Sequence, residues 1–307
     1  MVTIGEFHQQ KNLEDLFFQV ESECIKSFST LLSQRHDELG YLNMRRLYTL
    51  TKGQSAIHIN KSIGNLYPSG DQSIQSKAIC ERIVKGGGYF CDKLYGYEKD
   101  MDDLCKMIDE HGQAAEGSKR SRLIEWNTLK QNRLAREISQ DPIYRQVADE
   151  YLGCKSILNR VTAWKTSHVN VDAPNRLGDA MMFHFDYDHN RFLKIFVYLS
   201  DVDETCGPHV YIENTHAALR FNLPEPLHRD GRLTSLDVIN CGLVPRYALG
   251  KRGTIIFGDT TNLHKGTPVG KNKSRYILQV QFADSIFGAK RLHSVDDLID
   301  MNKGVER

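Results

Sequence analysis

The sequence predicts an α+β fold, and three observations carry that reading. Apolar residues recur at helical spacing in most of the chain before Gly153. From Cys154 onward they gather in short runs, rich in β-branched and aromatic residues, between turns. The two kinds of element follow one another instead of alternating, which disfavours a βαβ wind. With 307 residues the chain is long enough to bury a substantial core.

Leu13, Leu16, Phe17, Val20, Cys24, Ile25, Phe28, Leu31 and Leu32 step by three and four, which predicts an amphipathic helix over 13–36. Residues 41–70 read as an irregular solvated segment ending in the turn Tyr67-Pro-Ser-Gly70. Arg45, Arg46 and Lys52 in that segment would be its basic lip if it met an anionic group. A helix over 74–84 stops at Gly86-Gly-Gly88, and a strand over 89–91 follows. No lysine–serine pair follows the glycines, so they are not a P-loop. Asp100 is expected to cap a helix to His111, with a loop over 112–120 and a further helix over 123–138. Asp141-Pro142 opens the next helix, with proline in its first turn. Strands are expected over 156–164, 181–187, 192–199, 209–212, 236–239, 254–257 and 275–282. The last fifteen or so residues are polar, a helix or tail.

Forty basic and thirty-nine acidic residues leave a formal net charge of +1. That balance argues against a general nucleic-acid or membrane-surface binder. No apolar run reaches membrane-spanning length, and the N-terminus lacks the pattern of a secretory signal. Seven scattered cysteines without a C-x-x-C pair suggest reduced thiols and a cytoplasmic location, not a zinc site.

The chemistry is concentrated in Met181-Met-Phe-His-Phe-Asp-Tyr187. On a strand, His184 and Asp186 project to one face, while Phe183, Phe185 and Tyr187 enter the opposite layer. An imidazole and a carboxylate so placed are two metal ligands in want of a third. His264, five residues past the short buried run Gly253-Thr-Ile-Ile-Phe-Gly-Asp259, is the histidine that suits. Two histidines and a carboxylate with open positions form the facial triad of non-haem Fe(II) oxygenases. Arg275, eleven residues past His264, offers a planar fork for a dicarboxylate. His168, His189, His209, His216, His228 and His293 read as satisfied structural residues, and Asp188 and Asp259 as turn residues or supports of the ligands.

The ordered set of His-x-Asp, distant His and following Arg resembles the Fe(II)/2-oxoglutarate dioxygenases, and more narrowly their phytanoyl-CoA dioxygenase-like (PhyH) branch. Phe196-Val-Tyr-Leu-Ser-Asp-Val-Asp-Glu-Thr-Cys-Gly-Pro208 is similar to that branch's segment between the triad halves. Asp141-Pro-Ile-Tyr-Arg-Gln-Val-Ala-Asp-Glu-Tyr-Leu-Gly153 resembles the helix leading into its barrel, and Gly87-Gly-Tyr-Phe90 its opening strand. The resemblance covers roughly residues 72 to 284.

The resemblance implies a double-stranded β-helix, a jelly-roll or cupin-like barrel flanked by N-terminal helices. It implies a dioxygenase-like domain over 72–288, which leaves an unmatched helical extension over 1–71, read from its own apolar spacing, and a tail over 289–307. Implied ligands to Fe(II) are His184, Asp186 and His264. Arg275 and Thr267 would grip 2-oxoglutarate, and Tyr198 or Lys194 would touch it if the face they share with Phe196 points inward. Iron, Asp186, a doubly charged cosubstrate and Arg275 would balance in charge, as a dry site requires. The implied reaction uses O2 to hydroxylate a small molecule while 2-oxoglutarate becomes succinate and CO2. Because Asp186 is present, hydroxylation or desaturation is favoured over halogenation. Alternatives are an acyl-CoA hydroxylase of the same branch, a non-catalytic or metal-sensing barrel, and a cupin-like isomerase. Nothing in the sequence fixes the substrate or the oligomeric state.

Overall fold

The computed structural model describes residues 73–114, 121–168, 182–186, 192–216, 232–283 and 301. The helix expected over 13–36 and the basic lip of Arg45, Arg46 and Lys52 lie outside them, as does the 1–71 extension. Helix α1 (Ile74–Lys85) starts at Ser73, whose hydroxyl accepts from Ser76 N at 3.1 Å. It ends at the three glycines, with Gly87 and Gly88 at φ of 62° and 105°. A Cβ on Gly88 would lie 2.4 Å from Asn262 Nδ2, so glycine is required both for the turn and for the close approach. Strand β1 (Tyr89–Lys93) follows, then α2 (Glu98–His111). Asp100 does not cap α2; it sits in the first turn and pairs with Arg133 at 2.5 Å.

The helix expected over 123–138 is instead three elements. Strand β3 (Ser121–Glu125) pairs with β4 (Ile157–Ser167), α3 (Trp126–Leu129) makes one turn, and α4 (Arg133–Gln140) restarts at the cap Asn132. Leu123, Trp126 and Leu129 keep helical spacing across this break, so periodicity could not reveal that a neighbouring edge captures residues 121–125. Part of the expected 112–120 loop is likewise a strand, β2 (Gln113–Ala114). Helix α5 (Pro142–Leu152) forms as read: Asp141 accepts from Ile143 N and Tyr144 N, and Gly153 closes it in the left-handed conformation.

Strands β4 (Ile157–Ser167), β5 (Phe192–Tyr198), β6 (His209–Tyr211), β7 (Arg246–Ala248), β8 (Thr254–Gly258), β9 (His264–Gly266) and β10 (Ser274–Ala283) complete the order. The strand expected over 236–239 is a helix, α6 (Ser235–Asn240), which begins with a capping box between Thr234 and Asp237. Leu236 and Ile239 lie exposed on it, so the apolar run there marks no buried strand.

All pairings are antiparallel. A seven-stranded sheet runs β1-β8-β5-β10-β4-β3-β2, and a three-stranded sheet runs β7-β6-β9. Side-chain alternation divides the large sheet into two faces. Leu193, Ile195, Val197, Leu278, Val280 and Phe282 join Leu104, Ile108, Leu134 and Val147 of the helices in one core. Phe196, Tyr198, Ile256 and Ile277 turn the other way, toward Ala248 and Tyr211 of the small sheet. Met301, wholly buried and helical, belongs to the helix-side core, so the tail expected over 289–307 contributes at least one packed residue. Among the described residues the two sheets are not hydrogen-bonded into a closed barrel, and no helix is long and apolar enough to cross a membrane.

Leu278, fully buried in the helix-side core, gives a direct test of this layering. Leu278→Ala should destabilise the protein by about 2–5 kcal/mol in urea unfolding. A loss below about 1 kcal/mol would place that side chain outside a packed interior.

Candidate metal centre

Two remote segments are joined by a reciprocal backbone pair. His184 N donates to His264 O at 2.9 Å, and His264 N donates to His184 O at 3.0 Å. Two residues on, Asp186 N donates to Thr260 O at 2.9 Å. Of the strand expected over 181–187, the described part makes isolated bridges, Phe183 to Leu233 and His184 to His264. The alternation still holds: Phe183 and Phe185 pack with Val210, Ile212, Leu233 and Leu263.

This backbone geometry brings His184, Asp186 and His264 together, with one ligand atom from each lying within 4.8 Å of the others. It is the one such group among the described residues. Asp186 Oδ1 lies 3.6 Å from His184 Nε2, and its Oδ2 lies 3.4 Å from His264 Nε2. Each ring is held from behind by a carbonyl that can only accept: His184 Nδ1 on Met182 O at 2.8 Å, His264 Nδ1 on Asn262 O at 3.0 Å. Those bonds place the protons on Nδ1 and aim the Nε2 lone pairs at the shared point. Lone pairs facing a carboxylate need a cation between them, so the donor set fits a divalent metal.

The electrostatics agree. Burial, reinforced by His264, pushes the His184 imidazole down to about 4, so it is neutral and able to ligate at pH 7. Burial alone would raise the Asp186 carboxyl, but Lys194 and His264 outweigh it and hold it well below the carboxylate range. Lys194 Nζ sits 2.5 Å from Asp186 Oδ2. The face of β5 bearing Lys194, Phe196 and Tyr198 is therefore the inward one.

Arg275 is buried, with Nη1 donating to Gly207 O and Nε lacking any partner among the described residues. Burial lowers its pKa, yet guanidinium stays charged at neutral pH. The Tyr198 hydroxyl donates to Ala248 O at 2.7 Å, and the Thr267 hydroxyl to Pro208 O at 2.9 Å, so both protons already have backbone acceptors.

His209, read from sequence as a satisfied structural residue, lines the site. Its ring centroid is 5.3 Å from that of His264, and its Nε2 is 3.3 Å from the Tyr89 hydroxyl. Only its place on β6, opposite β9, reveals it; the sequence carries no signal. His216 is no ligand: its Nδ1 is 3.1 Å from Asp259 Oδ2, which also accepts from Tyr151 at 2.7 Å. Asp259 Oδ1 accepts from Thr261 N and Oγ1, so it buttresses the 259–264 turn that delivers Thr260 and His264. Asp188, His189, His228 and His293 lie outside the described residues.

No protein-family model matches the chain, and no curated protein matches it by sequence. Solved structures do. EctD from S. alaskensis with 2-oxoglutarate and 5-hydroxyectoine aligns at a TM-score of 0.50 and 14% identity, over 70% of this chain and 77% of that one. The epimerase SnoN, in complex with Fe3+, alpha ketoglutarate and nogalamycin RO, aligns at 0.49 and 13%, over 68% and 83%. HygX from Streptomyces hygroscopicus, with nickel and 2-oxoglutarate bound, aligns at 0.48 and 11%, over 69% and 87%. At 14% identity the likeness to EctD shows the fold alone: an α+β chain of the jelly-roll, double-stranded β-helix kind.

The buttress has a pH signature. Burial opposes ionisation of Asp259, but hydrogen bonds from His216, Thr261 and Tyr151 prevail and hold its carboxyl below the ordinary value. A lowered native pKa gives stability that is present above the unfolded value, about 3.9, and is lost as pH falls through the folded one. Asp259→Asn should therefore be less stable at neutral pH, and it should lose less between about pH 5 and pH 3 than the parent does. Parallel stability curves through that window would show that Asp259 contributes nothing by its charge.

Proposed function

We propose that the protein is an Fe(II)- and 2-oxoglutarate-dependent oxygenase that hydroxylates a small molecule, with His184, Asp186 and His264 as its iron ligands. The supporting observation is the convergence of two backbone-locked imidazoles and one carboxylate on a single point. His184, Asp186 and His264 would hold the iron, and a site of two histidines and one carboxylate suits a non-haem Fe(II) centre. Bound iron would supply the oxidising chemistry, with 2-oxoglutarate leaving as succinate and CO2.

The chain's own residues bind, orient and exclude water. Arg275, anchored on Gly207 O, has an Nε without a partner among the described residues to offer the distal carboxylate of 2-oxoglutarate. Tyr198 and Thr267 flank that grip, Thr267 donating to the carboxylate only by giving up Pro208 O. Lys194 fixes the orientation of Asp186 and lies close enough to the triad to meet the cosubstrate's metal-binding end. Phe196, His209, Tyr89 and Tyr211 form an aromatic wall that keeps the site dry.

Within the superfamily, the segments 196–208, 141–153 and 87–90 favour the phytanoyl-CoA dioxygenase-like branch, with residues 72–288 as the catalytic unit. A non-catalytic or metal-sensing barrel is the competing reading. Arg275 Nε, which meets no partner among the described residues, opposes it, because a scaffold gains nothing from a buried guanidinium donor left unpaired.

The test is succinate release from 2-oxoglutarate with iron and ascorbate. No release would remove the oxygenase reading. Asp186→Asn should abolish release and weaken nickel binding by more than the roughly 10–100-fold typical of losing an outer partner. Arg275→Ala should retain nickel binding while losing about 2–5 kcal/mol of 2-oxoglutarate affinity. An unchanged cosubstrate requirement in that variant would make Arg275 structural.

A further inference from the structure

The inward face of the large sheet carries a second group of donors, three inward positions along β10 from Arg275. Strand register sets Arg160 of β4 opposite Gln281 of β10, and Gln281 opposite Lys194 of β5. Directly opposed residues on antiparallel strands project to the same side. Lys194 points inward, and the flanking Val161, Leu193 and Phe282 all enter the helix-side core, so the whole row faces the sandwich interior. The outer Cα atoms of the row are roughly 10 Å apart, two strand spacings.

One end of this row touches the metal centre through the Lys194–Asp186 pair. At the other end Gln281 Oε1 accepts from Gln279 Nε2 at 3.5 Å, but two donors are left over. Gln281 is fully buried and its Nε2 has no hydrogen-bond partner among the described residues. The Nε of Arg160 is likewise buried without a partner, and no described acid pairs with this arginine. Buried donors are almost always met by an acceptor, and a guanidinium most of all by an anion. On the oxygenase reading, which this inference rests on, iron, Asp186, 2-oxoglutarate and Arg275 cancel in charge. Lys194 and Arg160 then leave this wall positively charged.

We propose that Arg160 and Gln281 hold an anionic group of the substrate, a carboxylate or a phosphate. The carbon to be oxidised then lies at the Lys194 end of the row, beside the triad. The substrate is thereby a small acid, held at its far end by a guanidinium and an amide. Its grip is separate from the one on the cosubstrate, because Arg275 lies at the opposite end of β10.

The experiment uses the full chain loaded with nickel, a redox-silent stand-in for iron, and with 2-oxoglutarate. A fluorinated benzoate is titrated in and followed by fluorine NMR; inorganic phosphate is titrated separately and as competitor. Saturable binding is expected, weakened at least about tenfold by Arg160→Met and several-fold by Gln281→Leu. Nickel and 2-oxoglutarate affinities should stay within about twofold of the parent in both variants, a change far below one hydrogen-bonded charge pair. The preferred probe identifies the anion as carboxylate or phosphate. Absence of saturable binding by both probes, or equal affinity in parent and variants, overturns the proposal. So does a loss of 2-oxoglutarate affinity in Arg160→Met, which would assign the row to the cosubstrate. Failure of the parent to bind nickel or 2-oxoglutarate would sink the oxygenase reading instead.

Discussion

The structure turns on the reciprocal backbone pair between His184 and His264. Two hydrogen bonds fix the separation and the facing of residues eighty apart in the chain. Asp186 is then placed by its own backbone bond to Thr260, on the same turn that delivers His264. Side-chain geometry at the centre is therefore inherited from main-chain geometry, which is stiff, and each imidazole is further fixed by the carbonyl behind it.

The surrounding fold serves this point. One face of the large sheet is apolar and closed by helices, and that core anchors β5, β8 and β10 in register. The other face can then carry Lys194, Arg275, Gln279 and Gln281 into an interior that would otherwise reject them. Lys194 is stabilised there by Asp186, while Arg275 Nε and Gln281 Nε2 meet no partner among the described residues. A polar wall with unmet donors on an otherwise apolar scaffold is what a site for charged small molecules requires.

The turn from Asp259 to His264 links the layers. Tyr151 of α5 and His216 both bond to Asp259, so a helix-side residue and a loop residue hold the same carboxylate. Asn262 adds a backbone carbonyl to His264 and a side-chain acceptor to Thr215 N.

The sequence by itself determined the class of fold, five of the seven strands of the large sheet, and the grouping of His184, Asp186 and His264. Those readings rest on local signals: period-two alternation around His184, the Asp141-Pro142 cap, and the buried runs over 192–199 and 275–282. Local signals also misled where they were ambiguous. Residues 123–125 keep helical spacing yet join a neighbouring edge, and 236–239 are apolar yet helical because Thr234 and Asp237 cap them. Only the tertiary structure decided which face of β5 looks inward, that His209 lines the site, and that Arg160, Gln281 and Lys194 stand in one row. Alternation along a strand says which residues share a face; which face meets the interior, and which strands lie beside it, depend on contacts between segments far apart in the chain.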